Sequence, residues 1–388
     1  MSLHYLRSNI AKLFISNCSF LILTSLCQNI RFHLNCNFPF IMKNCIRICF
    51  ILFSIVSIDL SAQVKKSKVL AYLQNKKLGR GVNIIGYDPI WKDSTNARMK
   101  TVHFKLIKDA GFSNVRIVIS PFKFSMNDSS FTINPTFFTT LDWAIMTALK
   151  NKLMVIVDFH EHIAIQKDPL GTKPKLMAMW KQIAEHCKDY PKEVLFEIAN
   201  EPNMQPEIWN SIHSEVYNVL RVSNPKRTLV IGTINGNQIK YLHDLTLPEN
   251  DRNIIVAIHY YSPIQFTHQG APWSVKNKDL SGNTWSETDS EKEAVDKDFN
   301  MAYQWSKKHK RPLTLGEFGA YEKADMASRV RWTNYVARQA EKNGWSWSYW
   351  QFDSDFILFD MKSQTWVEPI KNALVPQNTK NKMLITNK

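Results

Sequence analysis

The stretch "LFEIANEP", residues 195–202, has the composition of a buried strand that ends abruptly in polar side chains. Its first half is apolar, whereas Asn200 and Glu201 close it. A charged group at the end of an apolar run costs free energy unless it is paired or used. One interpretation is a helix N-cap, because Asn200 and Pro202 could open the helix that follows. The other is a functional carboxylate, and the surrounding sequence must decide between the two.

Runs of the same kind recur along the chain and alternate with amphipathic segments. The strand-like runs are residues 81–86, 114–119, 153–160, 194–200, 228–233, 254–261, 312–319 and 345–352. Helical segments lie around residues 100–110, 137–150, 174–188, 206–222, 290–309 and 326–343. Strands that are apolar throughout and separated by helices indicate a parallel sheet that is covered on both faces.

Eight such units in roughly 300 residues predict an α/β fold, a (β/α)8 TIM barrel that forms a single catalytic domain. An open doubly wound sheet is the alternative. It is disfavoured because no G-x-G-x-x-G or P-loop sequence occurs in the chain.

The N-terminal region differs from the rest of the chain. Residues 1–41 contain no acidic residue and no regular periodicity, so we interpret them as an upstream over-extension of the reading frame and not as a domain. Residues 42–62 combine two basic residues, an apolar stretch and a small-residue exit at Ser61-Ala62, which predicts a signal peptide that starts at Met42. A membrane anchor is the alternative, but the apolar stretch is shorter than the ~20 residues of a spanning helix.

This interpretation divides the remainder into a leader (63–77), a catalytic domain (78–375) and a polar tail (376–388). Five of the six cysteines precede residue 62, which leaves Cys187 alone and allows no intrachain disulfide after cleavage. We therefore expect a secreted or periplasmic protein that has no stable membrane anchor after cleavage and is a monomer.

The charge of the chain is positive but carries little information about partners. The formal net charge is +15, and removal of residues 1–62, with five basic residues and one acid, leaves 44 minus 33, or +11. Lysine clusters fall in the leader and at a helix end, where cations are favourable. Nucleic-acid binding would require basic residues interleaved with aromatic residues along one element, and we expect no such partner.

Polar side chains collect at the strand ends, where the active sites of such barrels lie. Glu201 follows the fourth strand and Glu317 lies near the end of the seventh, and both share the face of their strand's preceding leucines. Two carboxylates across one barrel mouth are what glycoside hydrolysis requires. The alternative is two unrelated cap or ion-pair glutamates, which their joint placement disfavours.

These residues resemble glycoside hydrolase family 5, in particular its bacterial endoglucanase and endoglucanase/mannanase members. Asn200-Glu201-Pro202 looks like the acid/base signature of the family, and "GEFG" at 316–319 looks like its nucleophile signature. Further matches occur in the family's order across about residues 78–374. They are "GFSNVRI" with Arg116, "DFH" with His160, "HYY" with His259 and Tyr261, and "YWQF" with Trp350. The chain departs from the family pattern at Glu161 and His162.

The resemblance implies a retaining endo-β-1,4-glucanase, without cofactor or metal, that acts on a β-linked polysaccharide or oligosaccharide. Glu317 would be the nucleophile and Glu201 the acid/base. The implied substrate-binding residues are Arg116, His160, Asn200, His259, Tyr261 and Trp350. To these we add His268 and Trp273 from the aromatic-rich loop 262–289, because loops of this length are usually functional or disordered. An endo-β-1,4-mannanase or a xyloglucanase on the same site is the alternative.

Two hypotheses from other classes remain. His160 and His162, two residues apart, would face the same way on a strand, as in metal-dependent amidohydrolase barrels. Such sites need further histidines at later strand ends, and only His259 is available there. A barrel that binds sugar without cleaving it would require the loss of a carboxylate, and neither carboxylate is lost.

Overall fold

The computed structural model describes residues 70–126 and 128–376. The predicted upstream extension, the signal peptide, residues 63–69 of the leader and all but the first residue of the tail lie outside these ranges. Eight parallel strands close into a barrel in which each strand pairs with its neighbours in sequence and the last pairs with the first. The predicted TIM barrel is therefore confirmed.

The strands follow the predicted runs closely. They are β1 (Arg80–Ile84), β2 (Asn114–Ile119), β3 (Met154–Phe159), β4 (Val194–Glu197), β5 (Leu229–Gly232), β6 (Ile254–Tyr260), β7 (Leu313–Phe318) and β8 (Ser346–Tyr349). Two short strands, Phe359–Asp360 and Thr365–Trp366, form a small antiparallel sheet after β8.

Helices separate the barrel strands, as the sequence pattern predicts. The longer ones are Thr101–Asp109, Pro135–Lys150, Pro169–His186, Pro206–Ser223, Asp289–His309 and Met326–Lys342. The shorter ones are His162–Lys167, Ile234–Asn237, Ile264–Thr267 and Glu368–Leu374, with 3-10 turns at Pro89–Trp91, Ser94–Asn96, Pro121–Phe124 and Ile239–Asp244. Capping explains several starts. Asn134 and Asp168 accept hydrogen bonds from the first turns of their helices, each followed by proline, and Thr288 forms a capping box with Glu291.

Two apolar clusters hold the barrel together. The larger one packs the outer faces of the strands against the helices. The smaller one fills the lower interior of the barrel and consists of Met154, Ile156, Leu195, Val230, Ile255 and Ala257, together with Ala71 and Leu78. Residues 70–78 are helical, so part of the predicted leader packs beneath the barrel. The Gln74 side chain also donates a hydrogen bond to the Lys192 carbonyl at 2.6 Å. The structure therefore adds residues 70–77 to the barrel unit.

Apolar side chains fill the barrel interior near the starts of the strands, and polar side chains gather at the other end, where the strands finish; we call this the polar end. Within the described ranges, no helix has both the length and the apolar composition needed to cross a bilayer. The loop 262–289 lies at the polar end and contains the short helix Ile264–Thr267. Trp285 in this loop is 1% exposed and packs against Tyr335, so its role is in the core, whereas other aromatic residues of the loop line the cleft described below.

Candidate active site

Arg116 is the centre of the polar network at the barrel mouth. It lies within β2 and not at its end, and its side chain is fully buried. Its guanidinium donates to Glu197 from Nε at 2.7 Å and from Nη2 at 3.0 Å, and Nη1 donates to Glu317 Oε1 at 2.7 Å. Nη2 also lies 3.1 Å from Asp158 Oδ2. A fork-shaped cation suits this arrangement because it contacts three carboxylates in fixed directions.

Glu317 is held by groups that donate to it from two sides. Arg116 binds Oε1, and the Tyr261 hydroxyl donates to Oε2 at 3.0 Å. Burial raises the pKa of Glu317, while His259 and Arg116 oppose this effect and Glu201 adds to it. The Tyr261 hydroxyl stays protonated because burial and the neighbouring Glu317 raise its pKa well above the usual range. Tyr261 is therefore a fixed hydrogen-bond donor to Glu317.

Glu201 reaches the same space from the loop after β4. The strand ends at Glu197, and Glu201 has a left-handed backbone with φ 42°, so strand alternation does not set its direction. His259 Nδ1 lies 2.7 Å from Glu201 Oε1, and the Asn237 amide lies 3.2 Å from Nε2. If Asn237 donates there, Nδ1 carries the proton and donates to Glu201. One carboxylate oxygen of Glu201, one of Glu317 and a ring nitrogen of His259 lie within 4.8 Å of one another.

His259 and Glu317 are register partners on β6 and β7, at a point where the register shifts after Ile258. The residue before Glu317 must be small here. A Cβ on Gly316 would lie 2.9 Å from His259 Nε2 and would displace that ring. Glycine at this position thus allows His259 to contact both glutamates, at 2.7 Å for Glu201 and 3.6 Å for Glu317.

His160 and Asn200 form a second polar pair beside the carboxylates. His160 Nδ1 lies 2.7 Å from Asp158 Oδ2, and the Asn200 amide nitrogen lies 3.3 Å from His160 Nε2. The Asn200 oxygen accepts from Arg116 at 2.8 Å. Burial lowers the pKa of both His160 and His259 to about 4, so both rings are neutral at physiological pH. Asn200 thus joins the buried guanidinium of Arg116 to the His160 ring, and it lines the cleft.

These side chains line a cleft of about 1060 Å³. Trp350 forms one wall, and its ring stacks on His160 with centroids 5.5 Å apart and meets Tyr87 edge-on at 6.3 Å. Trp273 lines the cleft with about half of its surface exposed. His268 also lines it and packs edge-on against Tyr261 at 4.9 Å. Apolar walls around a few convergent polar groups are typical of a site for a small organic ligand.

The cellulase family model, described as glycosyl hydrolase family 5, matches residues 76–355. The chain belongs to glycoside hydrolase family 5. The chain is therefore a glycoside hydrolase, and its resemblance to this family is confirmed.

Known members of the family cover the same part of the chain. Structures of Thermotoga maritima Cel5A in complex with cellobiose and with mannotriose are 39% identical, with a TM-score of 0.74, and cover 79% of this chain and 100% of theirs. A cellulose synthase subunit Z from Clostridioides difficile is 36% identical, with a TM-score of 0.73, over 77% of this chain and 100% of its own.

Among curated relatives, Endoglucanase H of Acetivibrio thermocellus is 28% identical over 317 residues, which is 78% of this chain and 33% of the relative. The chain thus spans between a third and about half of the first curated relatives that it matches.

The structure brings every predicted site residue of this family 5 chain to one cleft or to the network beneath it. Glu201, Glu317, His160, Asn200, His259, Tyr261, His268, Trp273 and Trp350 line the cleft, and Arg116 lies below it. The roles assigned to these residues remain predictions. Sequence reasoning missed Glu197 as a partner of Arg116, although it shares a strand face with the leucine at 195.

Two more cleft residues were also missed. Tyr87 follows β1 and is 57% exposed, and Asp355 follows β8 with a left-handed φ of 55°. Both lie in irregular segments, where spacing gives no signal about side-chain direction. Asp355 gives the cleft a carboxyl group besides the central pair, and burial raises its pKa.

The departure at residues 161 and 162 has a structural explanation. Strand β3 ends at Phe159, and His162 begins a helix, so the expectation that His160 and His162 share a strand face is wrong. Their rings meet edge-on with centroids 5.0 Å apart. Glu161 turns away from the cleft and accepts a hydrogen bond from the Phe122 amide at 2.7 Å, while His162 lines the cleft. Membership of a glycoside hydrolase family replaces the amidohydrolase hypothesis.

Proposed function

We propose that the protein is a retaining endo-β-1,4-glucanase with Glu317 as nucleophile and Glu201 as acid/base. The observation that carries the proposal is the short separation of the two carboxylates, within 4.8 Å between oxygens, in one cleft. Retaining glycosidases hold their carboxyl groups ~5–5.5 Å apart, whereas inverting enzymes need ~6.5–9.5 Å to admit a water molecule.

In the first step, a Glu317 oxygen attacks the anomeric carbon and forms an ester bond. The bond from that carbon to the glycosidic oxygen breaks, and this oxygen takes a proton from Glu201. In the second step, Glu201 takes a proton from water while the water oxygen attacks the same carbon and releases Glu317 as a carboxylate. Two inversions retain the configuration of the sugar.

The surrounding residues suit this sequence of charges. Arg116 and Tyr261 donate to Glu317 and favour its ionised form, which is the attacking species. When Glu317 becomes an ester, it no longer repels a negative charge on the neighbouring carboxyl group. Glu201 can then act as a base toward water. His259 contacts both carboxylates and fixes their relative position.

We assign substrate contacts to the remaining predicted residues. The Asn200 amide nitrogen, with only a long 3.3 Å contact to His160, is free to bind the hydroxyl next to the anomeric carbon. Trp350 offers an apolar face to the sugar at the cleavage point, and Tyr87 stands roughly perpendicular to that face at its edge. Trp273 and His268 form the wall on the side of the loop 262–289.

The preferred backbone is proposed to be β-1,4-glucan. The endoglucanase names of the curated relatives and the cellobiose complex of Cel5A support this choice. The mannotriose complex of the same protein supports β-mannan as a second candidate, and xyloglucan is a third. Reducing-sugar release and product sizing on a panel of these polysaccharides would rank them. No released ends on any of them would favour a binding-only barrel.

The catalytic assignment is tested by substitution and chemical rescue. We expect Glu317→Ala and Glu201→Ala to lose nearly all turnover, and azide to restore part of the activity of Glu201→Ala. Proton NMR of the first product should show the retained anomer. Absence of azide rescue, or an inverted product, would contradict the roles of the two glutamates. Activity that survives dialysis against a chelator is expected, and zinc-dependent recovery would contradict the mechanism.

We also propose that the protein is exported. The support is the signal-peptide pattern of residues 42–62 and the concentration of cysteines before residue 62. Expression of the full chain, followed by fractionation and N-terminal sequencing of the product, tests this. Cleavage after Ala62 is expected, and an uncleaved cytoplasmic product would contradict the proposal.

A further inference from the structure

The end of the barrel opposite the cleft carries a ring of exposed lysines that the mechanism above does not use. In a closed parallel barrel all strands start at the same end, so the segments that precede them share one face. Six of the eight strands are preceded, within four residues, by an exposed lysine. We call this surface the basic face, and its six lysines are Lys76, Lys152, Lys192, Lys226, Lys310 and Lys342.

The charges of the basic face are not neutralised by the protein. No carboxylate of the described part of the chain forms an ion pair with any of these six lysines. Acids of the same face bind other basic residues, as Glu193 binds Lys77 at 3.8 Å and Glu341 binds Arg80 at 2.7 Å. Most of the lysines lie at or just after a helix end, where a cation is favourable. Because all these helices end on one face, their cations add up to one positive surface that attracts external anions.

The helix of residues 70–78 lies across the basic face and turns apolar side chains outward. Its inner side is fixed by hydrogen bonds from Gln74 to the Lys192 carbonyl at 2.6 Å and from Asn75 to the Gly344 carbonyl at 3.3 Å. On the outer side, Tyr72 is 40% exposed and Leu73 is 52% exposed. Lys76 and Lys77 follow one turn later on that side and are also exposed. Apolar side chains beside lysines on one helix face are typical of a helix that lies at a membrane surface.

Further cations surround this helix. Burial raises the pKa of Tyr72, and Lys307, Arg252 and Arg311 oppose that rise, so three basic side chains lie near its hydroxyl. In the sequence, Lys65, Lys66 and Lys68 directly precede Leu70 and remain after the predicted cleavage at Ala62. The exposed apolar pair is therefore placed within a strongly positive surrounding.

We propose that the basic face docks on an anionic phospholipid bilayer, with Tyr72 and Leu73 inserted at the level of the headgroups. A flat charged surface contacts lysines around the whole ring at once, whereas a single polymer strand contacts only part of the ring. An apolar pair also gains from a bilayer and gains little from a hydrophilic polyanion. The contact is peripheral and reversible, unlike that of a spanning helix. Because the face lies opposite the polar end, the cleft then opens away from the membrane.

Vesicle binding by the product expected after cleavage at Ala62 tests the proposal, since this product keeps every described residue and lacks the apolar stretch 48–58. Vesicles consist of phosphatidylcholine with or without phosphatidylglycerol. One variant replaces four lysines of the basic face with glutamine: Lys76, Lys192, Lys226 and Lys342. The matched control replaces four exposed lysines that follow strand ends, so it loses the same charge: Lys92, Lys167, Lys276 and Lys323. A third variant combines Tyr72→Gln with Leu73→Gln.

We expect the parent protein to sediment with vesicles that contain phosphatidylglycerol and not with phosphatidylcholine alone. Binding should weaken with added salt, because the screening length falls from ~10 Å at 0.1 M to ~3 Å at 1 M. Each lysine near an anionic surface contributes about fivefold to binding, so the four-lysine variant should bind about 100-fold more weakly. The control should change less than about threefold. The variant of Tyr72 and Leu73 should lose about tenfold on vesicles.

Three results would overturn the proposal: equal binding to both kinds of vesicle, an equal loss in the control variant, or binding to duplex DNA or polyphosphate as tight as to vesicles and unaffected at Tyr72 and Leu73. The first and the salt dependence use only the parent protein, so they stand even if a variant fails to fold, which its Tm reports. Vesicle-bound protein should hydrolyse soluble β-glucan as fast as free protein, and inhibition by vesicles would contradict the orientation. A protein without any hydrolytic activity would contradict the proposed function and leave the docking result intact.

Discussion

Glu197→Gln is the substitution that best tests the network under the cleft. The change keeps the shape of the side chain but removes one buried negative charge. Glu197 accepts two hydrogen bonds from Arg116, at 2.7 Å and 3.0 Å, and is 1% exposed. Glutamine can accept only one of them, and its amide hydrogens would face a guanidinium N–H group.

The expected magnitude follows from the contacts that remain. Loss of one hydrogen bond between charged groups costs about 1.5–3 kcal/mol. Removing one partner of an isolated buried ion pair costs about 3–5 kcal/mol. Arg116 keeps Asp158 and Glu317 as partners, so the lower figure applies. We expect the free energy of unfolding to fall by about 2 kcal/mol, which lowers Tm by roughly 3 °C for a domain of about 300 residues.

The same substitution should reduce turnover because the guanidinium loses the bond that orients it toward Glu317. A displacement of about 1 Å at a reacting group can cost on the order of 100-fold in rate. We expect kcat to fall about 10- to 100-fold with a small change in KM. Thermal unfolding and steady-state kinetics on a soluble β-glucan measure both effects.

Glu193→Gln provides the control for the same chemical change. Glu193 directly precedes β4, is partly exposed, and its carboxylate lies 3.8 Å from Lys77. An exposed ion pair of this kind contributes about 0–1 kcal/mol, so both Tm and kcat should stay close to those of the parent protein. If Glu197→Gln behaved like this control, the partners that Arg116 keeps would suffice to orient it, and the reasoning would be refuted. These partners are Asp158, Glu317, Asn200 and Asn83, whose side-chain oxygen accepts from Arg116 at 2.8 Å.

Two further predictions concern pH. Tyr261→Phe removes a hydrogen bond that stabilises the ionised form of Glu317, so the pKa of Glu317 should rise. The acidic limb of the kcat/KM profile should then move to higher pH by about one to two units. An acidic limb at the same pH as in the parent protein would contradict this role of Tyr261. Glu161→Gln should change the pH dependence of stability, because burial raises the pKa of Glu161 to about 7 from an ordinary 4.5. The folded state then holds a proton that the unfolded state has lost, and stability falls between these values by at most about 1.4 kcal/mol per pH unit. The Tm of the parent relative to the variant should therefore be higher at pH 5 than at pH 8, and an equal difference at both pH values would contradict it.

The sequence alone was sufficient for the barrel and for the position of the two glutamates. Parallel strands covered on both faces must be apolar throughout, so each strand appears as a continuous local run. Where such a run ends, a carboxylate or an amide stands out against its neighbours, as at Asn200 and Glu317. This information is local, so it can be recognised in the sequence without knowing which other residues each side chain contacts.

The tertiary structure alone decided how these residues meet. Arg116 lies inside a strand, and only closure of the barrel brings its guanidinium to Glu197, Asp158 and Glu317. Glu161 and His162 are adjacent in sequence but face different environments, because β3 ends at Phe159 and the backbone turns into a helix. A second cavity, of about 630 Å³, is lined by the segments that follow β3, β4 and β5, and these segments share no sequence pattern. Side-chain direction outside regular strands depends on backbone angles that long-range packing sets, and spacing in the sequence does not encode them.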